Sequence, residues 1–328
     1  MISVIIPAYN SEKTIGDCLE ALLNQNYPSE EYEIIVVDDG STDRTREIVK
    51  SFRRVRLIEQ KHRGPAAARN LGVKKAKGSI ILFTDSDCIP SKDWIKYMVE
   101  PFKNKDVVGV QGTYRTYNKE SMIARFAGYE IEERHKKMKR EIDFVGTFSA
   151  AYRKHIFETF GGFDTSFSMA SGEDSELSFK MSDAGLRMVF QPKAIVYHRH
   201  PDSLKKFLRQ KFWRGYWRVP LYLKHKKKFL RHSYTPRSLL LEIGLLGIAC
   251  VLLVLSLARL IPASLFFVVM SIFFMFTLPL SFRIFKKDKT LGLITPFIIL
   301  LRDFVTGLGI VYGTISTTWR TLKWKKHR

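Results

Sequence analysis

The sequence predicts an α/β domain, a mixed sheet under helices, followed by helices that cross a membrane. Three observations carry this expectation. Short apolar runs, Ile2–Pro7, Ile34–Val37, Val55–Ile58 and Ile80–Phe83, alternate with helical patterns. Continuous apolar runs read as strands buried on both faces, and their alternation with helices reads as βαβ units. Two of these runs end in carboxylates, at Asp38-Asp39 and at Asp85-Ser86-Asp87, where open α/β sheets bind ligands. Beyond residue 238, Leu239–Leu257 and Ile261–Phe282 are apolar and long enough to span a bilayer.

Taken in order, Ile2–Pro7 is a buried strand that turns at Tyr9-Asn10-Ser11. A helix follows, with Ile15, Leu19, Leu22 and Leu23 on one face. Ile34–Val37 is the second strand, and Asp43 falls in the first turn of the next helix, where its charge is favoured. Val55–Ile58 is the third strand. Gly64-Pro65 opens a helix containing Arg69 and Asn70, which closes near Lys77-Gly78. Ile80–Phe83 then runs into Asp85-Ser86-Asp87. The second half is less regular, with helices at Trp94–Phe102 and Met122–Lys139 and strands at Val107–Thr113 and Phe148–Tyr152. A glycine-rich turn follows at Phe160–Asp164. Gly172-Glu173-Asp174 opens the helix Ser175–Asp183, and the strand Ala194–Tyr197 runs into His198-Arg199-His200.

The chain of 328 residues allows two domains. Its formal charge of +22 calls for a polyanionic partner. Residues 201–237 hold 12 Lys/Arg and one Asp, +11 in all. They lie directly before the apolar segments, which favours an anionic membrane surface over nucleic acid. Within them, Phe207, Phe212, Trp213, Tyr216, Trp217 and Tyr222 alternate with cations, as in a helix lying in a membrane interface. Met1 leads directly into a strand pattern, so no signal peptide is expected. Cys18, Cys88 and Cys250 form neither a metal-ligand spacing nor a disulfide framework, which fits a reducing setting.

Leu291–Thr317 is a third apolar stretch, interrupted by Arg302-Asp303, an ionisable pair that is costly at mid-membrane. The basic groups Lys286, Lys287, Lys289 and Arg320–Arg328 belong on the cytoplasmic side, which favours a re-entrant hairpin broken at Arg302-Asp303 over a full third span. The expected organisation is a catalytic domain over 1–200, basic aromatic interfacial helices over 201–237, membrane segments over 238–318 and a basic tail over 319–328.

Paired aspartates at a strand end suit a hard divalent cation that bridges the phosphates of a substrate. Alone, Asp-Ser-Asp also reads as an ordinary turn, and Glu173-Asp174 as plain charge complementarity at a helix start. The company these residues keep tips the balance. Pro7-Ala8-Tyr9-Asn10, Val37-Asp38-Asp39-Gly40-Ser41-Thr42-Asp43, Ala68-Arg69-Asn70-x-Gly72, Asp85-Ser86-Asp87, Gly161-Gly162-Phe163-Asp164 and Gly172-Glu173-Asp174 occur in that order. Together, over about residues 1–220, they resemble the family 2 glycosyltransferases, inverting enzymes of the GT-A fold that use nucleotide-diphosphate sugars.

The resemblance implies roles residue by residue. Pro7, Ala8 and Tyr9 line the nucleobase pocket. Asp39 accepts a hydrogen bond from the base, and Arg69 faces the nucleotide. Asp85 and Asp87 hold Mg²⁺ or Mn²⁺ against the diphosphate, and His198 joins the metal or the phosphates. Asp174 is the general base, with Glu173 beside it. Gln210 and Arg214 approach the donor diphosphate. Gln210 is followed by Lys-Phe-Trp-Arg rather than by the longer motif of processive synthases, which counts against polymer synthesis.

The expected function is transfer of a sugar from a UDP- or GDP-linked donor to a hydroxyl of a lipid-linked or surface glycan. The catalytic domain is expected at the cytoplasmic face of the cell membrane. Two alternatives stay open. One is a polyprenyl-phosphate sugar synthase, whose phosphate acceptor needs no base. The other is a non-catalytic membrane scaffold. A dinucleotide-binding fingerprint is absent after the first strand.

Overall fold

A computed structural model describes residues 1–167, 169, 171–229 and 237–326. The chain forms two compact units. One comprises Met1–Asn118 with Ile131–Arg199, the other Lys119–Glu130 with His200–Arg328.

The first unit is built on one mixed sheet. Its elements begin with β1 (Ile2–Ala8), α1 (Ile15–Leu23), β2 (Tyr32–Asp38), α2 (Thr45–Ser51), β3 (Val55–Glu59), α3 (Pro65–Lys75), β4 (Ile80–Thr84), β5 (Cys88–Pro90) and α4 (Trp94–Val99). They continue with β6 (Val107–Thr116), the end of α5 (Met122–His135), β7 (Glu141–Ile142), β8 (Ser149–Arg153), α6 (Lys154–Thr159), α7 (Glu173–Asp183) and β9 (Arg187–His198). The strand order is β3-β2-β1-β4-β8-β6-β9-β5, with β7 paired to β9. The first four are parallel; β8 runs antiparallel between β4 and β6.

Alternation of side chains explains the two cores. Val4 and Ile6 face one side with Leu19, Leu22 and Trp94, whereas Ile5 faces the other with Val37, Phe83 and Leu177. Both faces of the central strands are therefore covered, as their unbroken apolar runs require. On one face α3 lies close against β1, since a Cβ on Gly72 would overlap the Ile5 side chain.

Three elements depart from the expectation. β9 begins at Arg187, well before Ala194, because Gln191-Pro192-Lys193 breaks the apolar pattern where the β6–β9 register is irregular between Gln111 and Thr113. α5 ends at His135 rather than Lys139. Asp43 lies ahead of α2, not inside its first turn. Its carboxylate accepts from Thr45 N and Oγ1 at 3.0 and 2.5 Å and from Glu12 N at 3.1 Å, so Asp43 caps the helix from outside.

The second unit contains the start of α5 and α8 (Leu204–Lys224), α9 (Arg237–Leu257), α10 (Ala263–Phe285) and α11 (Lys289–Lys326). Ser238–Leu257, Ala263–Phe285 and Lys289–Thr318 are long and apolar enough to cross a membrane. The α9–α10 link is tight, with Arg259 in the left-handed region at φ 57°. α11 is one continuous helix, where a hairpin broken at Arg302-Asp303 was expected. Of the basic tail, residues 327–328 and the side chains from 319 onward lie outside the described residues, as do residues 230–236 of the interfacial segment.

The reason α11 tolerates its ionisable pair is local. Arg302 is 4 % exposed and Asp303 fully buried. Arg302 donates Nε and Nη2 to the two Asp303 oxygens at 2.6 and 2.9 Å, Nη1 to Glu130 at 2.9 Å and Nη2 to Glu242 at 2.7 Å. Lys211 donates to the other Glu130 oxygen at 2.9 Å. Ionised groups in an apolar medium persist only when paired in this way.

α8 and α11 approach through small residues. A Cβ on Gly309 would strike the Phe212 carbonyl, and one on Gly215 the Thr306 carbonyl. Gly309→Val is expected to force the helices apart and to lower stability by about 1–3 kcal/mol. The check is thermal unfolding in detergent; an unchanged midpoint contradicts the close approach.

Candidate active site

The candidate site is built where β1, β2 and β4 end. Tyr9, at the exit of β1, is 47 % exposed, and its ring lies 4.3 Å from that of His62 at an interplanar angle of 32°. Pro7 and Ala8 precede it within β1, Ala8 buried and Pro7 partly so. The tilted Tyr9–His62 pair offers an aromatic surface suited to a nucleobase.

Asp39 is 2 % exposed. One oxygen accepts from Gln60 Nε2 at 2.6 Å and Arg63 N at 2.8 Å, the other from Gly64 N at 2.8 Å, with His62 Nδ1 at 2.9 Å. Four donors nearly fill the acceptor capacity of a carboxylate. In this arrangement Asp39 folds the 60–64 loop that carries His62. Behind it, Asp38 accepts from Ser41 N at 3.1 Å.

At the end of β4, Asp85 and Asp87 part company. Asp85 Oδ1 is 2.7 Å from Arg69 Nη2. Asp87 faces the C-terminal end of β9, its Oδ1 3.7 Å from His198 Nε2. The pairing of Cys88 with His198 across β5 and β9 brings a third donor atom close. Cys88 Sγ lies 3.8 Å from Asp87 Oδ1, and the ligand atoms of Asp87, Cys88 and His198 lie within 4.8 Å of one another. No spacing along the chain announces this cluster, because the sheet makes it. Desolvation holds the Asp87 carboxyl above the ordinary carboxylate range, an effect His198 opposes and Asp85 reinforces. A carboxyl and an imidazole at this separation, beside a second carboxylate, form a donor set that fits a divalent cation. The His198 ring stacks on Tyr114 at 5.3 Å, which fixes its plane.

Opposite stands the N-terminus of α7. Asp174 lies in its first turn, and its Oδ1 accepts from Ser175 N at 2.7 Å. Glu173 is 1 % exposed. Its Oε1 meets Arg69 Nη1 at 2.9 Å, and its Oε2 accepts from Ser171 N and Gly172 N at 3.0 and 3.1 Å. Arg69, expected to face the nucleotide, is instead 1 % exposed and inserted between Asp85 and Glu173.

The motif Arg69-Asn70 has a second part. Asn70 donates to Phe163 O at 2.7 Å and accepts from Phe163 N at 2.9 Å. Gly161 and Gly162 hold φ at 82° and 67°, and a Cβ on Gly162 would press on the Asn70 amide. The glycine turn is thus shaped to be gripped by α3. Gln210 and Arg214 lie on α8 in the second unit, both partly buried.

Sequence reasoning did not single out His62, Cys88 or the Asn70 clamp. The Asn70 clamp was signalled by its place beside Arg69, whereas His62 and Cys88 depend on tertiary pairing.

Comparison with known proteins gives one consistent answer. Residues 3–161 match the model of glycosyl transferase family 2. The chain is 32% identical over 205 residues to glycosyltransferase AglE of Haloferax volcanii, covering 60% of this chain and 66% of that protein. It is 28% identical over 236 residues to the dolichyl N-acetyl-alpha-D-glucosaminyl phosphate 3-beta-D-2,3-diacetamido-2,3-dideoxy-beta-D-glucuronosyltransferase of Methanococcus voltae, covering 64% of this chain and 70% of that one. The matched region thus spans about two thirds of the length of these relatives. Among solved structures, the mannosyltransferase PcManGT of Pyrobaculum calidifontis, in complex with GDP-Man and Mn²⁺, superposes with a TM-score of 0.65 at 21% identity. That match covers 92% of this chain and 86% of the other and establishes the shared GT-A fold.

Proposed function

We propose that this chain, which belongs to glycosyl transferase family 2, moves a sugar from a nucleotide-diphosphate donor to a hydroxyl of a lipid-linked glycan, with inversion at the anomeric carbon. The observation that carries this reading is the pair of carboxylates, Asp85 and Glu173, on one buried guanidinium, with Asp174 next in the chain to Glu173. Arg69 sets the Asp85 end of β4 beside Glu173 and Asp174 at the start of α7. Donor-side and base-side acids are thereby tied to one side chain.

In the reaction the acceptor oxygen attacks the anomeric carbon, and the bond from that carbon to the diphosphate oxygen breaks. Asp174 takes the hydroxyl proton, and the nucleoside diphosphate leaves with the bonding pair. A base at the N-terminus of a helix stays ionised and fixed in direction. Tyr9 and His62 hold the base of the donor. Asp87 and His198, with Asp85 nearby, are the residues that would hold Mg²⁺ or Mn²⁺. Such a cation, when bound, stabilises the negative charge that gathers on the leaving diphosphate.

The lipid-linked acceptor follows from the apolar helices and from the interfacial character of α8, whose aromatics and cations suit a membrane surface. The Methanococcus relative is named for a dolichyl-linked acceptor, which supports the same class. The basic residues Lys286, Lys287 and Lys289 support a cytoplasmic position for the catalytic unit.

The test is nucleotide binding by the detergent-solubilised protein, with UDP and GDP titrated in Mn²⁺ and in EDTA. One nucleotide is expected to raise the unfolding temperature only with metal, and Asp87→Ala is expected to abolish the effect. Equal stabilisation in EDTA, or an undiminished response in Asp87→Ala, contradicts the assignment. No response to either nucleotide favours a scaffold without transferase activity.

A further inference from the structure

Arg69 sits between two carboxylates from distant parts of the chain. Its Nη2 meets Asp85 at 2.7 Å and its Nη1 meets Glu173 at 2.9 Å. Its guanidinium lies 5.9 Å from the centre of the Phe163 ring. Glu173 in turn receives the backbone amides of Ser171 and Gly172. The next residue on α3, Asn70, grips the backbone of Phe163 in both directions. Two consecutive side chains of α3 therefore hold both ends of residues 163–173, the stretch that delivers the helix bearing Asp174.

We infer that Arg69 is a positioning residue, a strut that couples the Asp85 end of the donor site to the loop carrying the base, rather than a donor contact. The inference rests on the transferase reading above and carries the Arg69 contacts further, to what they do for turnover rather than for donor binding. The chemistry of the side chain suits the task. A planar guanidinium addresses two carboxylates through separate, fixed N–H groups, which a single ammonium does not. Its burial leaves no face for a nucleotide.

Two consequences separate a strut from a donor contact. A displaced base costs turnover while leaving donor affinity, since a misplacement near 1 Å is worth about 10²-fold in rate. Loss of the guanidinium also frees the loop that Glu173 anchors, which the exchange of its amides reads directly.

The experiment uses the full chain in detergent, wild type against Arg69→Lys and Arg69→Met. GDP-mannose and UDP-N-acetylglucosamine with Mn²⁺ serve as donors, and steady-state donor cleavage is followed. In parallel, hydrogen–deuterium exchange is followed in residues 161–174. Arg69→Lys is expected to lower kcat about 10²-fold with the donor KM within about threefold. Arg69→Met, which keeps neither ion pair, is expected to lower kcat at least as far, again with the donor KM within about threefold. Both should speed exchange in residues 161–174 while exchange in β1 and β2 is unchanged. A KM that rises in step with the loss of kcat restores the donor-contact role and overturns the strut. So does exchange that does not change in residues 161–174. Wild-type protein that cleaves neither donor contradicts the transferase reading instead, and the exchange measurement then decides the strut by itself.

Discussion

Asp174→Asn is expected to reduce turnover by about 10²–10⁴-fold, the range general-base catalysis contributes, while folding and nucleotide binding persist. The side-chain oxygen that accepts from Ser175 N has a counterpart in the amide, so the first turn of α7 is retained. What is lost is the capacity to take a proton from a neutral acceptor. The size of the effect identifies the acceptor. A hydroxyl must be deprotonated as it attacks, so the loss is large. A phosphate acceptor is already anionic at neutral pH and needs no base, so near-normal turnover in Asp174→Asn points to a polyprenyl-phosphate sugar synthase. The comparison is made on steady-state turnover with donor saturating, and the unfolding temperature in Mn²⁺ and nucleotide confirms that binding survives.

Arg302→Leu is expected to cost about 3–5 kcal/mol, the range for breaking a buried ion pair by removing one partner. The substitution removes the guanidinium to which Asp303, Glu130 and Glu242 are all bound. The expected result is a large fall in the unfolding temperature, or loss of monodisperse protein in detergent. Neutralising Glu242 and Asp303 in the same chain, as Glu242→Gln and Asp303→Asn, is expected to recover part of the loss, because fewer uncompensated charges are then buried. A change below about 1 kcal/mol, within the range of exposed pairs, would show that water reaches the network and that the helices do not bury it.

The strands that carry the site were legible because each is an apolar run, two of them ending in carboxylates. β1, β2 and β4 lie where the runs placed them, and Asp85-Ser86-Asp87 follows directly from β4. Glu173 and Asp174 do open a helix. What the sequence could not show depends on pairing across the sheet. Cys88 reaches His198 because β5 and β9 run antiparallel at that register, and no local spacing encodes this. Arg69 reads from sequence as a cation facing an anionic ligand, yet burial turns it inward to two carboxylates of its own chain. The continuity of α11 was hidden for a similar reason. Arg302-Asp303 looks like a break until Glu130, Lys211 and Glu242, from three other helices, are seen to meet it.

The central claim is transfer of a sugar from a nucleotide donor to a lipid-linked hydroxyl. The most direct measurement incubates the purified protein with membranes, Mn²⁺ and radiolabelled GDP-mannose or UDP-N-acetylglucosamine, then extracts lipids. The account predicts label in the organic phase from one donor, dependent on metal and absent with Asp174→Asn. Label that never enters lipid from either donor, while the matching nucleotide binds with Mn²⁺, would contradict it.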